Sequence, residues 1–426
     1  MTDAVTGLTS AIDILRLGAR GDGVGEGPDG LVYVPFALPG ERWRVDDSGC
    51  FEREAGGVER REPECPHFGR CGGCAMQHVP TPLYSEWKHG LVAEAFAHQG
   101  IVTGIEPLFE VPRASRKRAV MTAQVKGKVC TLGFHAAGTN TLIDLDVCVV
   151  LQPAIVSSFG DLRRLVLKIS SGNDEPFRVT VLASGRGLDV GVDGPAKELS
   201  ARLRAELAEF TAACRWARLT IGGEVIVERQ RPELSFGGVV VSPPAGVFLQ
   251  AVDAAEHEMQ RIVVAGAGRA KTILDLFSGM GTFAFPLAAI GKVLAVDSDP
   301  AAITALSEAA RQAKGIKPVS GRVRDLHREP MAPKELEGFD YVVFDPPRAG
   351  AAAQAGMLAR SKVPAIAAVS CNPATLARDL RILLDGGYEI QHVYPVDQFL
   401  FSSHVEIVVI LRRPKVRKVP GRWRAG

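Results

Sequence analysis

Residues 272–283 read TILDLFSGMGTF, and the fold follows from how they are read. TILDLF is an apolar run of strand length, and a glycine pair follows it at once. Gly279 and Gly281 permit a tight turn and let a ligand approach the backbone. Downstream, strand-like and helix-like runs alternate. The strand runs are 272–277, KVLAVD at 292–297, YVVFD at 341–345 and AIAAVS at 365–370. This alternation predicts a parallel, doubly wound α/β sheet of Rossmann type. Two further strand runs, 388–396 and 404–411, are joined by a short loop, so one of them is expected to run antiparallel. Asp297 ends the second strand, where an acid takes both hydroxyls of a ribose; the plain alternative is a strand-end turn residue. The pattern is D-x-F-x-G-x-G rather than G-x-G-x-x-G. It points away from NAD or FAD and toward S-adenosylmethionine.

Two more strand ends carry chemistry. DPPRAG, residues 345–350, places two prolines after YVVFD, making a rigid loop that cannot continue a β-ladder. It presents Asp345 at the edge where ligands of open α/β sheets bind. VSCNPATLARDL, residues 369–380, sets Cys371 between a strand and a helix, with Asn372 as N-cap and Pro373 in the first helical position. A thiol beside a helix N-terminus is expected to favour thiolate. A lone cysteine is more often buried packing, but here the glycine loop, Asp297, Asp345 and Cys371 share one edge. If the strand beginning SSHVE is the antiparallel one, Glu406 starts on that same edge. A thiolate and a carboxylate base beside a methyl donor predict one chemistry. Cys371 adds to C6 of a pyrimidine, C5 takes the methyl group, and Glu406 removes the C5 proton as the thiol is eliminated.

The rest of the chain sets bounds. With 426 residues there is room for two or three domains. Nothing resembles a signal peptide, and no long uncharged apolar run would span a membrane. Eight cysteines are too few for a disulfide scaffold and suit a cytoplasmic protein. The net charge of +2 leaves RNA binding to local patches. The patches are the stretch 113–128 around Arg116, Lys117 and Arg118, and the tail RRPKVRKVPGRWRAG, which alone reads as a solvated end. No obligate protein partner is evident. Residues 8–54 read as short strands around Gly- and Pro-rich turns, a small β-barrel. LYSEWKHGLVAEAFAHQG reads as a helix, and strands are expected at 119–125, 129–134, 177–182 and 236–241. In CPHFGRCGGCAMQH, Cys65, Cys71 and Cys74 cluster as C-x5-C-x2-C. Three clustered thiols imply a metal site without identifying the metal, and zinc is open on this evidence.

DPPRAG, then SCNPAT, then HVE together resemble the RNA 5-methyluridine (uracil-C5) methyltransferase family, and the likeness extends over most of the chain. The N-terminal barrel resembles a TRAM module, an OB-like RNA-binding fold. The cysteine loop resembles that of the cluster-containing 23S ribosomal RNA branch. The resemblance implies Cys371 as nucleophile and Glu406 as base. It implies donor contacts from Gln250 (in VFLQA), Phe277, Thr282, Asp297, Asp325 and Asp345. The chain departs from the family pattern at Ser278, Thr282, Asp325 and Ala368. The resemblance also implies a structural [4Fe-4S] cluster whose fourth ligand comes from afar. Cys148, after LIDLD and before Gln152-Pro153, fits that context better than Cys50 or Cys130, and Cys214 reads as packing.

The expected organisation is a TRAM-like RNA-binding barrel at 1–60, a central α+β domain with the iron-sulfur loop and an RNA-binding surface at 61–245, and a Rossmann-like methyltransferase domain at 246–426. The expected activity is S-adenosylmethionine-dependent methylation of uridine C5, pointing to 23S ribosomal RNA, with transfer RNA as the alternative substrate. Base amino-methylation leaves Cys371 and Glu406 unexplained. A non-catalytic RNA binder leaves the whole motif set idle.

Overall fold

The computed structural model describes residues 11–414 except 28, 29, 47–49 and 173. The basic tail from residue 415 onward lies outside the described residues. The catalytic sheet is built from β1 (Thr272–Leu276), β2 (Lys292–Asp297), β3 (Val319–Val323), β4 (Tyr341–Phe344), β5 (Ala365–Ser370), β6 (Glu389–Asp397) and β7 (Glu406–Arg412). Its order is β3-β2-β1-β4-β5-β7-β6, with the short strand Phe109–Glu110 added beside β6. β1 pairs in parallel with β2 and β4, and β4 with β5. Every residue of β4 and β5 is buried, as expected of strands covered by helices on both faces. β7 runs antiparallel to both β5 and β6. Its first residue therefore lies at the edge where the parallel strands end.

The N-terminal strands Ala11–Leu17, Gly23–Gly27, Gly30–Val34, Glu41–Val45 and Phe51–Gly56 form one antiparallel sheet. Their side chains alternate: Leu31 and Tyr33 are exposed while Val34 is buried against Ile12 and Ile14. In the central domain Arg118–Lys126 alternates buried and half-buried along its length. It lies inside a second sheet, between Phe177–Ser184 and Val129–His135. The run 236–241 departs from expectation. It is a hairpin of Leu234–Phe236 and Val239–Val241 rather than one strand. Gly237 and Gly238 between them have φ of +56° and +85°, and two successive positive φ values turn a chain back on itself.

The helix Thr81–Ala97 forms as expected, but it packs on the catalytic sheet's own layer. Val92, Phe96 and Ile101 share a core with Leu376, Leu380 and Val393. The hairpin 234–241 likewise buries Phe236 and Val241 with Met259 and Phe285 of the catalytic core. No helix among the described residues is long and apolar enough to cross a membrane.

Candidate active site

The chain's geometry at β5 and β7 brings the predicted nucleophile and base together. Ser370 is paired with Ile407 across these strands, so Cys371 and Glu406 are the next residues at that end of the ladder, and Glu406 is close enough to act on the Cys371 thiol. Asn372 caps the following helix, its Oδ1 accepting from Ala374 N at 3.1 Å, and Pro373 begins it. The DPPRAG loop is fastened to this same helix start. Asn372 Nδ2 and Thr375 Oγ1 donate to the Arg348 carbonyl at 3.1 and 3.2 Å, and Ala351 N donates to Asp379 Oδ2 at 2.6 Å. These bonds tie the loop after Asp345 to the helix after Cys371.

The expectation that the helix N-terminus favours thiolate is not met. Burial, then the nearby Glu406 and Asp345 carboxylates, push the Cys371 thiol up to about 11, with Arg348 opposing. Loss of solvation and two like charges outweigh one helix end. Burial also raises the Glu406 carboxyl well above its ordinary value, with Asp345 adding to the shift and Gln398 opposing it. Asp345 is raised by burial too, against a hydrogen bond from Gln250.

The glycine turn lies beside this pair. Phe277, Gly279 and Gly281 have φ of +59°, +52° and +100°. A Cβ on Gly279 would meet open space, whereas one on Gly281 would press on Phe285 at 2.7 Å. Asp297 Oδ2 accepts from Gly279 N at 2.8 Å and its Oδ1 from Asp299 N at 2.9 Å. The acid thus braces the turn and keeps free lone pairs on both oxygens for hydroxyls. Asp325 Oδ1 accepts from His327 N and Arg328 N at 3.0 and 3.3 Å, and the His327 ring stands 5.3 Å from Phe277. Thr282 is half-buried, and its carbonyl accepts from Gln260 Nε2 at 3.0 Å. Gln250 is buried and donates from Nε2 to Asp345 Oδ2 at 3.0 Å.

Two residues escaped the sequence reading. Asp275 is fully buried, and the backbone N–H of Ala284 is the donor that opposes the cost of burying its carboxylate. Burial, then repulsion from Asp345 and Asp297, raises its pKa well above the ordinary value. Its place inside D-x-F-x-G-x-G was the available signal. Gln398, buried between β6 and β7, hydrogen-bonds both Gln250 and Glu406; no motif marks it.

The basic run SRKR is placed otherwise than expected for a phosphate-binding face. Lys117 is buried and ion-paired with Asp253 at 2.5 Å and Glu256 at 3.1 Å. Arg116 is half-buried with its guanidinium 5.6 Å from the Phe399 ring, and Arg118 is half-buried as well. The alternating strand beginning at Arg118 forces this, because it turns every second side chain inward.

Cys65, Cys71, Cys74 and Cys148 line one cavity of about 340 Å³, together with Arg116, Phe399 and His404. Burial pushes the Cys74 thiol up to about 12 and raises Cys71 and Cys148, with mutual thiolate repulsion adding to each. Cys130 is buried in the central core, Cys50 is exposed, and Cys214 packs at the end of the helix Ala201–Ala213. Among the described residues, no group of three or more His, Cys, Asp or Glu is placed to hold a single metal ion.

Residues 239–414 match the family described as tRNA (Uracil-5-)-methyltransferase. An uncharacterized RNA methyltransferase of Agrobacterium fabrum is 45% identical over 416 residues, covering 95% of this chain and all of that protein. A 23S rRNA (uracil(1939)-C(5))-methyltransferase RlmD of Chromohalobacter salexigens is 34% identical over 439 residues, covering 95% and 90%. Among solved structures, the Pyrococcus abyssi tRNA (uracil-54, C5)-methyltransferase, in complex with S-adenosyl-L-homocysteine, superposes with a TM-score of 0.72. It covers 95% of this chain and all of its own at 22% identity, a likeness of fold.

Proposed function

The chain belongs to the uracil-C5 RNA methyltransferase family, and from that premise we propose that it methylates C5 of a uridine in 23S ribosomal RNA through a covalent adduct on Cys371. The observation that carries this is the β5–β7 register, which sets Glu406 opposite Cys371 at the ligand edge of the sheet. S-adenosylmethionine supplies an electrophilic methyl group on a cationic sulfonium. The Gly279 turn, Asp297 and the Gln250–Asp345 pair fit such a donor. Phe277, Thr282 and Asp325 complete the donor side. A positive charge among these acids lowers the potential that holds Cys371 and Glu406 protonated.

The Cys371 thiolate attacks C6 of the uracil, forming a C–S bond and placing the electron pair on C5 and O4. C5 takes the methyl group. Glu406 then accepts the C5 proton, the C5=C6 bond re-forms, and the thiolate leaves. Arg348, fastened to the nucleophile helix, is placed to oppose negative charge near Cys371.

The cysteine cavity is read as the seat of one [4Fe-4S] cluster held by Cys65, Cys71, Cys74 and Cys148. Four thiols around a cavity of about 340 Å³ suit a polynuclear group, and cationic iron offsets the repulsion that raises Cys71, Cys74 and Cys148. Held by these four thiols, it would cross-link the loop 65–77 to the strand-end segment that carries Cys148. The RlmD relative and the barrel favour ribosomal RNA as substrate, and the enzyme works in the cytoplasm. The test is nucleotide-resolution mapping of 5-methyluridine in 23S and transfer RNA from cells with and without this protein. A methyl group lost from 23S RNA alone supports the reading; loss from transfer RNA alone replaces it.

A further inference from the structure

Gln398 stands on the short connection between β6 and β7, and only 2% of it is exposed. Its carboxamide makes three hydrogen bonds. Ala251 N donates to Oε1 at 2.8 Å, and Nε2 donates to Gln250 Oε1 at 2.7 Å and to Glu406 Oε1 at 3.1 Å. A backbone N–H can only donate, so Ala251 settles which end of the Gln398 amide is oxygen. Gln250 is settled in turn: its Oε1 accepts from Gln398, and its Nε2 therefore faces Asp345 Oδ2 at 3.0 Å. One main-chain N–H thus sets the polarity of a buried relay that touches the donor side at Asp345 and the base at Glu406.

The relay makes the two oxygens of Glu406 unequal. Oε1 already receives an N–H, so a proton there would oppose the Gln398 amide. Oε2 is buried and has no partner among the described residues. It is the atom that holds the proton when Glu406 is neutral and the lone pair when it is charged. The loop itself does not need Gln398 to keep its place. Asp397 is bound by Lys88 at 2.7 Å and Tyr84 at 2.6 Å, and Tyr84 Oη accepts from Phe401 N at 2.9 Å.

We propose that Gln398 is a positioning residue for C5 deprotonation, holding Glu406 so that Oε2 takes the proton and tying that alignment to Gln250 and Asp345. The inference rests on the covalent chemistry above. In the step it serves, Glu406 Oε2 gains the C5 proton. The C–H pair becomes the C5=C6 bond, and the C6–S bond breaks with its pair on the Cys371 sulfur.

The experiment uses the full-length enzyme, labelled methyl donor and RNA carrying either uridine or 5-fluorouridine at the target. Gln398→Leu and the near-isosteric Gln398→Glu each remove the amide donors; if the first does not fold, the second carries the test. Both variants are expected to lose roughly 10- to 100-fold in kcat, the scale of a displaced catalytic group. Methylated enzyme–RNA adduct is expected to accumulate on ordinary uridine, because elimination is the slowed step. Trapping by 5-fluorouridine, which leaves no C5 proton to remove, is expected to keep its wild-type rate. For Gln398→Leu the acid limb of kcat/KM moves to higher pH, since the Glu406 anion loses a donor. Wild-type turnover and pH profile in both variants would overturn the positioning role alone. Equal loss of trapping and turnover would also overturn it, as that marks general distortion. If wild-type enzyme traps no adduct, the covalent chemistry fails and the inference fails with it.

Discussion

On the proposed mechanism Cys371 acts as a thiolate, yet burial and two carboxylates push its thiol up to about 11. Cys371→Ala is expected to lower methyl transfer by on the order of 10⁴-fold, as loss of a nucleophile does, and to abolish adduct with 5-fluorouridine RNA. Adduct surviving on a denaturing gel would reassign the nucleophile. Glu406→Gln keeps the shape and removes the base, at a cost of about 10²- to 10⁴-fold in kcat. It should leave methylated adduct standing on ordinary uridine, whereas rapid release would point to another base. Lys117 belongs to a different account. Its buried ammonium neutralises Glu256, so Lys117→Ala should destabilise the fold by about 3 kcal/mol. The salt slope of RNA binding should stay unchanged. A slope reduced by about 0.7 to 0.9, the change expected for one phosphate contact, would show that the lysine reaches RNA after all.

At the scale of elements, the connection between β6 and β7 is the shared wall of two sites. Phe399, Leu400, Ser402 and His404 face the cysteine cavity, while Gln398 and Glu406 face the active site. Ala75 N and Met76 N both donate to the Phe401 carbonyl, at 2.8 and 3.2 Å, so the cysteine loop holds this connection by its backbone. On the proposed cluster reading, Cys74→Ala is therefore expected to do more than lower the iron content of anaerobically purified protein. It should raise the proteolytic sensitivity of residues 398–405 and lower kcat, with donor affinity less affected. Stoichiometric zinc in place of iron and sulfide would change the metal assignment, and full iron in a Cys148→Ala variant would change the ligand assignment.

Across the whole molecule, one edge of the catalytic sheet gathers Asp275, Asp345 and Glu406, each with a carboxyl raised by burial. A raised acid binds its proton more tightly in the folded state. Its stabilising share is present below the unfolded carboxyl pKa and is lost as pH rises through the folded one. Thermal stability of the donor-free protein should therefore decline from about pH 5 to pH 8, and S-adenosylmethionine should restore most of it. Donor binding should release protons, read as calorimetric heats that scale with buffer ionisation enthalpy; heats independent of buffer would mean these acids are already charged. The strand runs, the glycine turn, the capped helix after Cys371 and the antiparallel last strand were legible in the sequence because each is local: periodicity, glycine, proline and a capping side chain act over a few residues. The cysteine trio was legible for the same reason. Three features were decided by tertiary structure alone. Lys117 turned inward to the acids of a helix more than a hundred residues later, the Cys371 thiol rose despite its helix N-terminus, and Gln398 became the link between donor side and base. Each depends on charges and hydrogen-bond donors brought together from distant segments, and burial and Coulomb energy follow distance in space, which one-dimensional spacing does not carry.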